Sequence, residues 1–140
     1  SNDMLVNDFS DEAIETIARE GLAHDLILQV RSLGGAMSRV DVPATAFAGR
    51  KAEVMVVSPT FISPEASPED IEKSLAPWYT ISTFSDGAYV NLLSDATEQA
   101  NLAVYPEATL HRLQAIKAKY DPENIFNQNH NIIPKEDHEN

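Results

Sequence analysis

Leu26-Ile27-Leu28-Gln29-Val30-Arg31-Ser32-Leu33-Gly34-Gly35 reads as a strand that stops on two glycines. Successive strand residues point to opposite faces, so Leu26, Leu28 and Val30 share one face while Ile27, Gln29, Arg31 and Leu33 share the other. Gly34-Gly35 permits positive φ and close approach by another backbone or a ligand; a plain turn or bulge is the alternative. Downstream, residues 52–57 are apolar apart from Glu53, and a second strand ends near Pro59. Residues 88–93 follow the turn pair Asp86-Gly87 and read as a third strand.

Helices frame these strands. Ser10 reads as an N-cap with Asp11 and Glu12 in the first turn, where the helix dipole favours negative charge. Ile14, Ile17 and Ala18 keep helical spacing, and Gly21 suits the left-handed end, which predicts a helix over 11–20. Ser67-Pro68-Glu69-Asp70 opens a helix through Ile71 and Leu75 that Pro77 kinks or restarts. Asp95-Ala96-Thr97-Glu98 repeats a capping pattern and opens a short helix. From Pro106, Leu110, Leu113, Ile116 and Tyr120 form an apolar stripe, and Asp121-Pro122 ends that helix. Residues 36–50 are rich in small side chains, and Val42-Pro43 argues against a helix there. Residues 123–134 are irregular yet carry Ile125, Phe126, Ile132 and Ile133, so they are expected to pack onto something. Helices segregated from three strands imply an α+β fold: a mostly antiparallel sheet covered by helices.

Composition narrows function by exclusion. Ten Lys and Arg against 22 Asp and Glu leave a formal charge of −12 over 140 residues. That disfavours nucleic acid as a partner, since each neutralised phosphate needs a basic side chain. An apolar content of 43 % with 23 % charged residues is too hydrophobic for a disordered acidic chain. No apolar run approaches the ~18 residues of a membrane span, so no membrane partner is expected. The absence of cysteine excludes disulfides, thiolate metal sites and a Cys nucleophile within the chain. No signal peptide is visible, and a cytoplasmic location is the expectation; Ser1-Asn2 reads as a cloning remnant, with the native start upstream.

Candidate chemistry is sparse. His24, His111, His130 and His138 never fall at metal-ligand spacing, so no metal site is expected. No Gly-x-Ser-x-Gly, P-loop or Gly-x-Gly-x-x-Gly occurs, and no catalytic residue is assigned. Residues 26–52 hold Arg31, Arg39, Arg50 and Lys51 with Asp41 as the single acid. These bases either pair with the acidic first helix or line a site for an anionic ligand, with Arg31 the candidate substrate contact.

The end of the chain adds a resemblance. Tyr105, the run from Leu110 through Tyr120-Asp121-Pro122-Glu123-Asn124-Ile125-Phe126, and then Ile132 and Pro134 resemble the C-terminal signature of the berberine-bridge-enzyme-like flavoproteins, FAD-linked oxidases of the vanillyl-alcohol oxidase and 6-hydroxynicotine oxidase type. Leu33-Gly34-Gly35-Ala36-Met37 with Arg39, and Gly87-Ala88-Tyr89-Val90-Asn91, resemble two upstream pieces of the same family in the same order. The resemblance implies part of a substrate-binding domain over 1–104, a returning C-terminal segment over 105–134 and a frayed tail over 135–140. It implies FAD in the full-length protein, a small-molecule substrate and a separate N-terminal FAD-binding domain as partner. Asn91, Asn129 and His130 are then expected at the cofactor, and Tyr89 and Leu92 with Arg31 at the substrate. Leu92 stands where many members carry a tyrosine proposed as base, which removes that candidate. The chain by itself is expected neither to bind FAD tightly nor to catalyse, and self-association is expected of its uncovered apolar surface. The alternative reading is a small non-catalytic ligand-binding or interaction module of ferredoxin-like type.

Overall fold

Val54–Ser58 (β3) is buried along its whole length, as a strand covered on both faces must be. It is the middle strand of a three-stranded antiparallel sheet, with Asn2–Val6 (β1) on one side and Gln29–Ser32 (β2) on the other. The computed structural model describes residues 1–94 and 96–135, with Glu98 by its backbone alone. The registers Met4↔Val56 and Val6↔Val54 put four side chains on one face. Ile17 of α1 (Asp11–Ala23) and Trp78 and Ile81 of α2 (Pro68–Ile81) close that face. Full burial of one such side chain is worth about 1.5–3 kcal/mol, so this layer is the main core. The opposite face carries Leu5, Met55 and Val57 with Ala52, and Leu33, Phe47, Tyr89 and Leu92 pack on it. Two further helices, α3 (Glu98–Val104) and α4 (Glu107–Tyr120), complete an α+β chain with an antiparallel, helix-covered sheet.

Several boundaries differ from expectation, each for a physical reason. β1 has no counterpart in the sequence reading: its alternation is five residues long and Asp3 occupies a buried position in it. α1 starts at Ser10, whose hydroxyl accepts from the Ala13 N–H, but runs past residue 20 to Ala23. Gly21 therefore lies inside the helix, and the left-handed residue is Asp25 at φ 50°. Gly21 matters for packing instead, because a Cβ there would lie 2.8 Å from Leu28 Cδ1. β2 is shorter than 26–33: the Leu26 N–H turns back to the Gly21 carbonyl at 3.0 Å, so pairing begins only beyond α1.

Residues 88–93 do not form the third strand. Gly87 makes a single bridge to Leu5, and the next N–H groups bond outside any ladder. Ala88 donates to the Ala103 carbonyl at 3.2 Å, and Leu92 turns back to the Tyr89 carbonyl at 3.0 Å. The third sheet member is β1. Gly34 and Gly35 have φ of 122° and 61° with nothing near their Cβ positions, the plain-turn alternative. α2 carries the expected Ser67–Asp70 capping box and passes through Pro77 unbroken. α3 is capped by Thr97. Asp95, His138 and residues 136–140 of the expected frayed tail lie outside the described residues. α4 ends at Asp121 as expected, yet none of its residues is buried: Leu110 and Leu113 are half-buried, while Ile116 is 45 % and Tyr120 74 % exposed.

Candidate functional site

The face of the sheet away from α1 and α2 is roofed by the chain crossing at 87–92. Leu5 N–H donates to the Gly87 carbonyl at 2.7 Å, which docks this crossing on β1. Two residues on, the Tyr89 N–H donates to Asp3 Oδ2 at 2.6 Å. Asp3 is buried at 6 % exposure, and its Oδ1 has no hydrogen-bond partner. Burial pushes its carboxyl above the usual range, against the opposing pull of the Tyr89 N–H and of the amino terminus. The Tyr89 ring meets Phe47 edge-on at 6.0 Å and 84°, and the Asn91 amide donates to Tyr89 Oη at 2.7 Å. Arg50 lies 5.0 Å over the other aromatic, Phe47, and donates to Thr45 Oγ1 at 2.7 Å and toward the Met37 carbonyl at 3.5 Å. Its guanidinium thereby ties down the loop that carries Phe47.

The tail is fixed by a second set of bonds. Asp121, at the end of α4, accepts from Lys117 Nζ and from the N–H groups of Ile125 (2.7 Å) and Phe126 (3.0 Å). Lys117 holds the Asp121 carboxyl below its usual range, with the two backbone donors adding to the effect. Lys117 Nζ also donates to the Phe126 carbonyl at 2.6 Å, so helix end and loop form one clamp. Beyond it, His130 Nε2 lies 3.2 Å from the Leu93 carbonyl. A carbonyl can only accept, so Nε2 carries the hydrogen, and buried Nδ1 has no hydrogen-bond partner. Asn101 Nδ2 donates to the Asn131 carbonyl at 2.9 Å and holds the tail on α3.

The sequence-derived residues divide as follows. Tyr89 and Leu92 pack together on the Leu5–Met55–Val57 face, and Asn91 is bonded to Tyr89. Arg31 is paired with Met55, which in turn pairs with Leu5, so it lies on the same face at the open edge of the sheet. His130 is joined to this group through Leu93. Asn129 is not: exposed and at φ 58°, it lines a separate cavity of about 260 Å³ with Asn101, Gln114, Asn127 and Asn131. Two residues of the face were missed from sequence, Asp3 and Gln29, which share one row through Val57. Alternation of Asp3 and Leu5 against Met4 and Val6 was the available signal for the first. The expected pairing of the basic stretch with the acidic helix does not occur. Among the described residues the ion pairs are Arg19–Glu20 and Lys117–Asp121, with His24 beside Glu20. Nor do the described residues hold a cluster of three metal-ligating side chains.

A three-stranded sheet with helices on one face and the 87–92 crossing on the other also occurs inside larger known structures. The chain superposes on glucooligosaccharide oxidase from Acremonium strictum with a TM-score of 0.76 and 26 % identity, over 96 % of this chain and 33 % of that one. Berberine-bridge-like 1 from Physcomitrella patens gives 0.76 and 22 %, over 97 % and 30 %. Carbohydrate oxidase from Microdochium nivale gives 0.74 and 20 %, over 96 % and 32 %. The chain thus spans about a third of the length of these structures. No curated protein matches it significantly in sequence. Residues 88–133 match the family model described as berberine and berberine like. The resemblance read from the sequence therefore holds: residues 88–133 carry the berberine-like segment, and the chain has the fold of about one third of these oxidase structures.

Proposed function

We propose that the parent polypeptide is an FAD-dependent oxidoreductase that removes hydride from a carbon bearing a hydroxyl or amine. In this reading residues 1–104 supply the substrate-side sheet and 105–134 the segment that returns to the FAD-binding domain. The observation that carries the reading is the start of the berberine-like match at residue 88, on the crossing that lays Tyr89, Asn91 and Leu92 over the sheet.

The residues of this face fit a flavin ring, which is planar and apolar with one edge of alternating acceptors and an N–H. Leu92 and Tyr89 offer the apolar contact, Asn91 and Arg31 offer donors, and buried His130 Nδ1 has no partner of its own. Asn129 lines a separate cavity and is not part of this face. Among the described residues no phosphate cradle accompanies them: Gly34-Gly35 leads into a short 3-10 turn, so the dinucleotide end would be held by the rest of the parent. FAD, when bound, supplies the two-electron acceptor for the hydride. The remaining task is proton removal, since an alcohol that loses hydride must also lose its O–H proton to become a carbonyl. Leu92 has no group for this. Asp3 is the carboxylate held at this face, with one oxygen unpartnered and its proton affinity raised by burial. Apolar Ile116, Tyr120, Ile125 and Phe126 would pack against the FAD-binding domain.

The test is the visible spectrum of the purified parent, joined to an assay for peroxide or reduced acceptor over a panel of alcohols and amines. Flavin absorbance near ~450 nm with substrate-dependent bleaching is expected. A parent that lacks flavin and binds none added to it would refute the reading.

A further inference from the structure

We infer that the open edge of β2 and the apolar groove beside it receive one further β-strand of the parent polypeptide, from the part expected upstream of Ser1. The inference goes beyond the chemistry proposed above and does not depend on it. The two edges of the sheet are unlike. On β1 the outward backbone groups of Leu5 are both taken: its N–H donates to the Gly87 carbonyl at 2.7 Å, and its C=O accepts from the Asp86 N–H at 2.8 Å. Four of the five residues of β1 are buried, whereas all four residues of β2 are exposed. Residues of an antiparallel strand alternate between bonding to the neighbour and facing away from it. The Leu33 N–H reaches the Glu53 carbonyl at 2.8 Å, so Arg31 and Gln29 also bond toward β3. Val30 and Ser32 therefore direct their N–H and C=O outward, and no group among the described residues bonds to them there.

The groove beside that edge is continuous with the main core. It encloses about 470 Å³, with Ile14, Ala18 and Leu22 of α1 on one wall and Leu26, Leu28 and Val30 on the other, and no polar side chain lines it. Phe9, Leu26 and Leu28, which line it, pack on the cluster of Met4, Val56 and Trp78. Its outer rim is bare, with Leu22 84 % and Val30 48 % exposed. A cavity of about 150 Å³ already accepts a benzene ring, so the groove has room for roughly two or three apolar side chains. A strand meets both needs at once: it pairs with the backbone of Val30 and Ser32, and every second side chain lies over α1. A helix would fill the groove and leave those backbone groups unpaired. A second copy of this chain would bring two α1 helices together, each with Asp11, Glu12, Glu15 and Glu20 against the single base Arg19, and like charges would oppose the contact. The solved structures on which this chain superposes are about three times its length, and a parent of similar length has the polypeptide to supply the strand.

The experiment uses the full-length parent and has two readouts. Amide hydrogen exchange resolved to single residues is expected to be at least about a hundredfold slower at Val30 and Ser32 than in an unfolded chain, as for amides bonded within a ladder. Benzoylphenylalanine in place of Leu22, irradiated in the parent, is expected to link to a single peptide from upstream of Ser1 within the same molecule, identified by mass spectrometry. The inference stands only if both results are obtained. Fast exchange at either amide, a link confined to residues 1–140, a link between two molecules or no link at all would overturn it. Neither readout involves flavin, so a parent without flavin would refute the oxidoreductase reading and leave this one standing.

Discussion

Asp3→Asn should change the pH dependence of stability in a way that no other single substitution on this face would. Asp3 is 6 % exposed, accepts one backbone N–H on Oδ2, and has Oδ1 buried without a partner. Burial disfavours the charged form, so the folded-state pKa exceeds the unfolded value of about 3.9. The protonated carboxyl is thus favoured by folding. Its contribution is fully present below the unfolded pKa and is lost as pH rises through the folded pKa, after which the penalty is constant. Each unit of difference corresponds to about 1.4 kcal/mol. Asparagine retains an oxygen for the Tyr89 N–H and cannot ionise. The stability of Asp3→Asn relative to wild type should therefore be smallest near pH 3 and should rise to a plateau by neutrality. Urea unfolding of both proteins at intervals from pH 3 to 8 measures it, and taking the difference removes the titration of the other carboxylates. A wild type that gains on the variant as pH rises would refute the reasoning, because it would mean that the charged carboxylate is stabilised by its surroundings.

The Asp121 clamp has the opposite sign. Its depressed pKa contributes stability that is present above the unfolded value and lost as pH falls through the folded one, and Asp121→Asn should speed hydrogen exchange at the Ile125 and Phe126 amides at neutral pH. Unchanged exchange would show that the loop is held by other contacts. Gly49→Ala would place a Cβ 2.5 Å from Leu5 Cδ1 and 3.0 Å from Phe47 Cζ, so a loss of about 1–3 kcal/mol is expected in urea unfolding. In the parent, Asn91→Ala should weaken flavin binding or turnover more than Leu92→Ala does; kinetics at equal flavin loading decide, and the reverse order overturns the assignment of Asn91. The 140-residue chain titrated with FAD should show no tight quenching of flavin fluorescence, and stoichiometric micromolar binding would contradict the division of labour between domains.

What could be read from the sequence follows the locality of each signal. Caps depend on a few adjacent residues, and the helix starts at Ser10 and Ser67 were therefore legible to the residue. Strands depend on partners far along the chain. Residues 88–93 have strand composition, yet the partner that Tyr89 finds is the side chain of Asp3, 86 positions away, and a turn results. Conversely, β1 looks unpromising by itself and becomes a strand because β3 offers it a five-residue apolar register. The same non-locality divides the site. Motif matching located Tyr89, Asn91 and Leu92, since those residues are adjacent in sequence, but Asp3 and Gln29 join them only through Val57 of the central strand. The α4 stripe is the complementary case. Ile116 and Tyr120 keep the spacing of a packed helix, and Ile125 and Phe126 are clamped in place by Lys117 and Asp121 although their side chains meet no core here. Helical periodicity records that a face is to be buried, not what buries it. A loop held by three hydrogen bonds to one carboxylate would be costly order for side chains destined only for water, which is the physical reason for assigning that surface to the rest of the parent polypeptide.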